Sequence, residues 1–271
     1  MQIFFCILIF IMGTVFGSFF TLAVYRIPLN KNIVNERSFC PKCNHRLEFI
    51  DLIPVLSYIF LRGKCRYCGE KVRIRYLILE VLSGIVFLVS YLSLGVTYPF
   101  FEIYEIIYFV AFIMFYITVL LIAGIDKENF YIDKRVLLFG LIMQTLYQLY
   151  LYTFRYTFDI TRQFLVLLVC TFLTLFIDTI NLKKSGETKY IIQIAMFIIY
   201  LLMFIPINNW LIFSLLSIAI LLIYYIYKKV KFNIVEKPDI LQELPNTKIP
   251  VGFCLGISSI IVIIAGNFML L

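Results

Sequence analysis

Cys40-Pro-Lys-Cys43, then 21 residues, then Cys65-Arg-Tyr-Cys68: this stretch organises the reading of the chain. Two C-x-x-C pairs at this separation have the spacing of a four-thiolate zinc site. Two cysteines three apart in a tight turn offer sulfur from one side, and a second such turn closes a tetrahedron. Disulfides or free thiols are the alternatives, and disulfides need an oxidising compartment. His45, the only histidine, falls inside the stretch, either as a surface residue or as a spare ligand. The surrounding segment, 26–76, is basic, and it interrupts a chain that is otherwise almost wholly apolar.

Of 271 residues, 62% are hydrophobic and 15% charged, with a mean hydropathy of +0.97. No soluble domain is built this way. Apolar runs of about 18 or more residues recur, each long enough to cross a hydrocarbon core about 30 Å thick. Period-2 alternation is absent, which argues against a barrel. The expected fold is therefore an all-α polytopic membrane protein with one large metal-binding loop between its first two spans. Eight spans are expected, at about 2–25, 77–95, 104–125, 134–152, 163–182, 190–206, 209–227 and 250–271. The first is read as a retained helix, because it is long for a signal peptide and lacks a small-x-small cleavage site. Pro206-Ile-Asn-Asn209 reads as a tight turn between two spans.

The net charge of +8 raises nucleic acid as a partner, but its distribution argues for a membrane instead. Segments 26–76, 126–135, 183–189 and 228–248 hold 22 of the 24 Lys and Arg residues, and the alternate connections hold only Arg155 and Arg162. The positive-inside rule places the basic segments in the cytoplasm and both termini outside, and an odd number of spans would break the alternation. A cytoplasmic loop favours zinc over disulfides. The chain divides into residues 1–95, carrying the cysteine loop, and a six-span unit at 100–271. No internal repeat and no Gly-rich phosphate loop stand out. Cys6, Cys170 and Cys254 lie in apolar runs and read as lipid- or core-facing.

Three carboxylates stand at membrane boundaries. Asp126 ends the third span, in a charged segment with Lys127, Glu128, Asp133, Lys134 and Arg135. It reads either as a solvated carboxylate after a helix or as a working acid. Asp178 lies within an apolar run. A carboxylate there is expensive and faces a polar interior, unless it snorkels or pairs with Lys183 or Lys184. Glu187, in Ser185-Gly-Glu-Thr-Lys189, stands at a helix start, where the macrodipole favours an anion. Two carboxylates about 3–5 Å apart do not both ionise easily and share a proton. One can then activate water while the other polarises a carbonyl.

The N-terminal third resembles the prepilin peptidases, the bifunctional leader peptidase/N-methyltransferases of type 4 pili and type II secretion. The resemblance is carried by Gly17-Ser-Phe-Phe-Thr-Leu-Ala-Val-Tyr-Arg26-Ile-Pro28, by Arg37-Ser-Phe-Cys40-Pro-Lys-Cys43 and by Asp51-Leu-Ile-Pro54. It continues through Leu61-Arg-Gly63-Lys-Cys65-Arg-Tyr-Cys68-Gly69 and Ile74-Arg75-Tyr76-Leu-Ile-Leu-Glu80. Leu77 stands where the family has proline. Beyond residue 85 the resemblance is looser. Asp126 matches the family's first catalytic aspartate, followed by Ile132-Asp133 where the family has Ile-Pro-Asp. Lys184-Ser-Gly186-Glu187-Thr-Lys189 matches the Gly-x-Gly-Asp-x-Lys motif, with glutamate in place of the second aspartate. Ile249-Pro250-Val-Gly252 resembles the start of the family's last helix.

The resemblance implies an intramembrane aspartic endopeptidase that removes prepilin or pseudopilin leaders at the cytoplasmic membrane edge. Asp126 and Glu187 would be its catalytic pair. It also implies methylation of the new N-terminus from S-adenosylmethionine, with Gly17, Arg26 and Glu80 as candidate cofactor-site residues. Each of these has an ordinary alternative: close helix packing, an interfacial charge, and a local pair with Arg73 or Arg75. Zinc on Cys40, Cys43, Cys65 and Cys68 would be structural, because four thiolates leave no open position for water. Asp178 is the alternative second acid. The competing class is a catalytically weak pilin-binding or assembly protein that keeps the zinc loop.

Overall fold

A computed structural model describes residues 2–33, 38–40, 42–93, 103–154, 186–235 and 249–269. They are helical, and no strand occurs among them beyond two isolated bridges, Phe39 with Arg46 and Lys64 with Lys71. In chain order the helices are α1 (Gln2–Arg26), α2 (Leu56–Phe60), α3 (Arg75–Ser93), α4 (Ile103–Asn129), α5 (Lys134–Phe154), α6 (Gly186–Phe204), α7 (Trp210–Val235) and α8 (Val251–Met269). Short 3-10 turns occupy Phe49–Leu52 and Ile207–Asn209. Five of these helices are long and apolar enough to cross a membrane: α1, α3, α4, α5 and the Trp210–Val230 part of α7. Tyr190–Phe204 and Val251–Gly266 form shorter apolar helices. Seven of the eight expected spans therefore coincide with helices. The span expected at 163–182 lies outside the described residues. The turn expected at 206–209 is the 3-10 turn before α7.

The chain forms two compact units, one reaching to Ile113 and one running from Met114 to Met269. In the first, α1 and α3 run antiparallel on a seam of small residues. A Cβ on Gly13 would stand 2.7 Å from the Ser83 carbonyl oxygen, and one on Gly17 would stand 2.9 Å from the Glu80 Cα. Only glycine lets the two backbones approach this closely, the small-residue packing by which helices associate in lipid. Phe16 stacks on Phe87 beside the seam, their ring centroids 5.6 Å apart. In the second unit, Thr118 of α4 fills the space that a side chain at Gly140 of α5 would need. Phe115 of α4 stacks on Phe204 of α6, with centroids 4.3 Å apart. These aromatic contacts bring the helix that ends near Asp126 against the helix that begins near Glu187.

Candidate metal centre and buried carboxylate site

The two cysteine turns repeat one backbone device. The Cys40 N–H donates to the His45 carbonyl (3.0 Å), and the Asn44 N–H donates back to the Cys40 carbonyl (2.8 Å). Twenty-five residues on, the Cys65 N–H donates to the Glu70 carbonyl (2.8 Å) and the Gly69 N–H to the Cys65 carbonyl (3.0 Å). The residue four after each leading cysteine has a positive φ, +55° at Asn44 and +69° at Gly69. Asparagine and glycine are the residues that tolerate this conformation. A short internal repeat thus exists where none was expected, at 40–46 and 65–71. It is written in hydrogen bonds more than in side chains.

The repeat turns four sulfurs inward, and all of them lie within 4.8 Å of one another. Cys40 Sγ and Cys68 Sγ are 3.8 Å apart. A tetrahedral ion with metal–sulfur bonds of about 2.3 Å would set its sulfurs about 3.8 Å apart. The donor set and its dimensions fit a metal ion, and no described cysteine is in a disulfide. The Cys43 and Lys42 N–H groups hold the Cys40 thiol down at about 7 against its burial. The Glu70 N–H acts in the same direction on Cys68, but burial and the three neighbouring sulfurs push that thiol up to about 12. A cation that draws the protonated thiols into thiolates would release protons as it binds. His45 is exposed and is not among the clustered ligands. Its ring lies on Tyr67 with centroids 3.6 Å apart, tying the first turn to the second. Asp51 braces the second turn through Arg66 Nε (2.8 Å) and the Tyr67 hydroxyl, which donates at 3.2 Å.

Asp126 does not stand in solvent after a helix. α4 continues to Asn129, and Asp126 is 0% exposed within its last turns. The Tyr190 hydroxyl of α6 donates to Oδ1 at 2.7 Å, and the Phe253 N–H of α8 donates to Oδ2 at 3.1 Å. The Val251 N–H donates in turn to the Tyr190 oxygen at 3.3 Å. These are first-turn amides of α8, which have no partner within their own helix and form a natural seat for an anion. Gly252 allows the approach, since a Cβ there would lie 3.1 Å from Oδ2. Each of these contacts to Asp126 comes from a donor, which suits an ionised carboxylate. Lys127 sits over the Phe253 ring at 4.4 Å. Asp133, expected only as part of a charged loop, is 2% exposed. It holds the start of α5 by accepting from the Arg135 N–H (2.8 Å) and guanidinium (2.8 and 3.1 Å).

Glu187 is the second residue of α6. It precedes Tyr190 by three residues and so shares its helix face. Its side chain lies outside the described residues, as does Asp178. Tyr190 is the member of this site that the sequence reading missed. Its signal was a hydroxyl one turn after Glu187 at the start of an apolar helix. Among the other candidates, Gly17 meets α3 directly at Glu80. Glu80 Oε2 accepts the Val55 N–H at 2.8 Å, an anchor different from the local arginine pair considered above. Arg26 is buried at the end of α1, where Nη1 donates to the Asn32 carbonyl at 3.2 Å.

Residues 11–94 match the family model of the Bacterial Peptidase A24 N-terminal domain. This span contains the cysteine turns and Gly17, Arg26 and Glu80. The prepilin leader peptidase/N-methyltransferase of Myxococcus xanthus (strain DK1622) is 39% identical over 94 residues, 35% of this chain and 28% of that protein. That of Bacillus subtilis (strain 168) is 31% identical over 134 residues, 49% of this chain and 50% of that protein. That of Vibrio cholerae is 40% identical over 89 residues, 30% of this chain and 35% of that protein. These matches support the prepilin peptidase family. The chain spans half or less of the length of these relatives, and the family model ends before Asp126. No solved structure matches.

Proposed function

We propose that the chain is a prepilin leader peptidase that also methylates the N-terminus it exposes. One observation carries the reading beyond the matched N-terminal third: Asp126 is buried at the loop end of a membrane-length helix, seated on the amides of α8 and held by α6 through Tyr190. The motif that would supply the second acid opens that same α6. Asp126 acts as general base. It takes a proton from water as the water oxygen adds to the scissile carbonyl carbon. Glu187, protonated, donates to the carbonyl oxygen. On collapse, the C–N bond breaks, the leaving amine takes the proton from Asp126, and one hydroxyl of the gem-diol returns its proton to Glu187. Tyr190 and the Phe253 N–H keep Asp126 in one orientation throughout.

In this reading the basic connections, with this end of the helices and the metal loop, face the cytoplasm and both termini face outward; the distribution of Lys and Arg supports it. The substrate is then a prepilin or pseudopilin, whose basic leader meets its apolar helix at that boundary. Cys40, Cys43, Cys65 and Cys68 would hold the zinc ion, which would fold a loop with little core of its own. When bound, S-adenosylmethionine would be the methyl donor for the new amine. Arg26 and Glu80 are its charged candidate contacts, and Gly17 provides the close helix approach beside Glu80. Residues 1–95 form this unit and 100–271 the peptidase unit.

The test is cleavage of a prepilin by the reconstituted full chain. Asp126→Asn and Glu187→Gln should each lower the rate by about 100- to 10,000-fold, the span of lost acid–base catalysis. A wild-type chain that binds prepilin without cutting it would favour the assembly role. Full activity in Asp126→Asn would end the two-carboxylate mechanism. The mass of the product's amine tests methylation separately.

A further inference from the structure

The polar loop between α1 and α3 carries apolar side chains away from any core. Phe49 is 83% exposed and Phe60 80%, and Ile50, Leu56 and Ile59 are exposed with them. Within α2, positions 56, 59 and 60 follow the spacing that lines one face of a helix. The other face is occupied. Tyr58 lies against Gly63, where a Cβ would stand 2.8 Å from its oxygen, and donates its hydroxyl to the Val72 carbonyl at 3.3 Å. That contact fixes α2 to the second cysteine turn and leaves Leu56, Ile59 and Phe60 facing away from it.

The depth of this face is set by a tether. Val55, at φ +63°, caps α2 and gives its N–H to Glu80 Oε2 at 2.8 Å. Glu80 is the sixth residue of α3, a 19-residue helix. At 1.5 Å per residue, α3 is about 28 Å long. A hydrocarbon core is about 30 Å thick, so the described part of α3 is about the length of one crossing and its start lies near one boundary. Glu80 lies about 7.5 Å along α3, and its side chain leans back toward the helix start. The beginning of α2 is thereby held at the level where apolar lipid gives way to headgroups. Ile74 and Ile78, at the same end of α3, are exposed as well. Arg62, Lys64, Lys71 and Arg73 are exposed nearby in the same loop, and basic residues suit the phosphate level of a bilayer.

We propose that the Phe49–Phe60 segment is a membrane-interface anchor. In this arrangement Leu56, Ile59 and Phe60 of α2 enter the acyl-chain boundary, Phe49 lies beside them, and the basic residues sit among the headgroups. The occupant of this face is the bilayer that the chain spans. The anchor would hold the metal loop down on the membrane surface. This inference requires only the membrane-spanning fold and does not depend on which reaction the chain performs.

The test uses the one tryptophan, Trp210. In full-length Trp210→Phe protein, Phe60→Trp is introduced and the chain is reconstituted into phosphatidylcholine vesicles. The vesicles are made with or without lipids brominated near the headgroup end of the acyl chain. The new tryptophan should lose most of its emission to bromine and resist quenching by aqueous acrylamide. Lys64→Trp in the same background should show the reverse. Leu56→Trp repeats the measurement at a second site if Phe60→Trp does not insert stably. Acrylamide quenching without bromine quenching would place the face in water and overturn the proposal. Resistance to both quenchers would mean that protein, a second copy or a partner, covers it, and would overturn the proposal equally.

Discussion

Tyr190→Phe removes one oxygen atom and tests the seat of Asp126 directly. In the wild type that oxygen donates to Oδ1 at 2.7 Å and accepts from the Val251 N–H at 3.3 Å. Neutral hydrogen bonds between membrane helices average about 0.6 kcal/mol in double-mutant cycles. A bond to a charged acceptor contributes about 1.5–3 kcal/mol. The short distance and the fully buried acceptor put this bond in the second class, provided Asp126 is ionised. A cycle built from Tyr190→Phe, Asp126→Ala and the double variant should therefore show a coupling of about 2 kcal/mol. Stability can be read by denaturant unfolding in mixed micelles. Replacing the acid by Asp126→Asn keeps an accepting oxygen but removes the charge, so that cycle reads the difference between the charged and the neutral bond, about 1.4 kcal/mol. Additive effects in the alanine cycle would refute the placement of Tyr190 on Asp126. A coupling near zero in the asparagine cycle would refute the ionised seat.

Three further perturbations probe the rest of the molecule. Gly252→Ala puts a methyl group 3.1 Å from Asp126 Oδ2, so the carboxyl must yield by a few tenths of an ångström. Since a misplacement of about 1 Å costs on the order of 100-fold in rate, prepilin cleavage should fall severalfold while unfolding midpoints change little. Gly17→Ala forces a Cβ to within 2.8 Å of the Ser83 Cβ and 2.9 Å of the Glu80 Cα. It should cost about 1–3 kcal/mol by overpacking, read as a lower unfolding midpoint. Cys68→Ser leaves three thiolates for the ion, so metal analysis of the purified chain should show loss of zinc and limited proteolysis should open the 40–71 region, with Asp126 and Tyr190 untouched.

Five of the helices were legible because each is a run of apolar residues whose length alone meets the thickness of a bilayer. The four-cysteine cluster was legible because its members are paired locally, three residues apart, so spacing nearly dictates geometry. The knuckle repeat was harder to see. Its common device is a pair of backbone hydrogen bonds, and the side chains at the positive-φ positions differ, Asn44 in one turn and Gly69 in the other. Glu80 shows the same limit from another direction. Local spacing offers it Arg73 and Arg75, yet the structure gives its carboxylate the N–H of Val55, 25 residues away.

The acid site was legible only in its parts, because its contacts join residues far apart in the chain. Asp126 meets Phe253 across 127 residues and Tyr190 across 64. No periodicity records such pairings, so a buried acid and a solvated one look alike in sequence. The same contacts bear on the glutamate at 187. Asp126 is fixed on two sides, by the α8 amides and by Tyr190, and Gly252 leaves no free space beside Oδ2. A longer acid at 126 would have to displace the start of α8. Position 187 lies in the first turn of α6, next to the helix end and ahead of the apolar stretch that begins at Tyr190. Under the proposed two-acid mechanism, this seat is a reason for the longer acid to stand at 187 and not at 126.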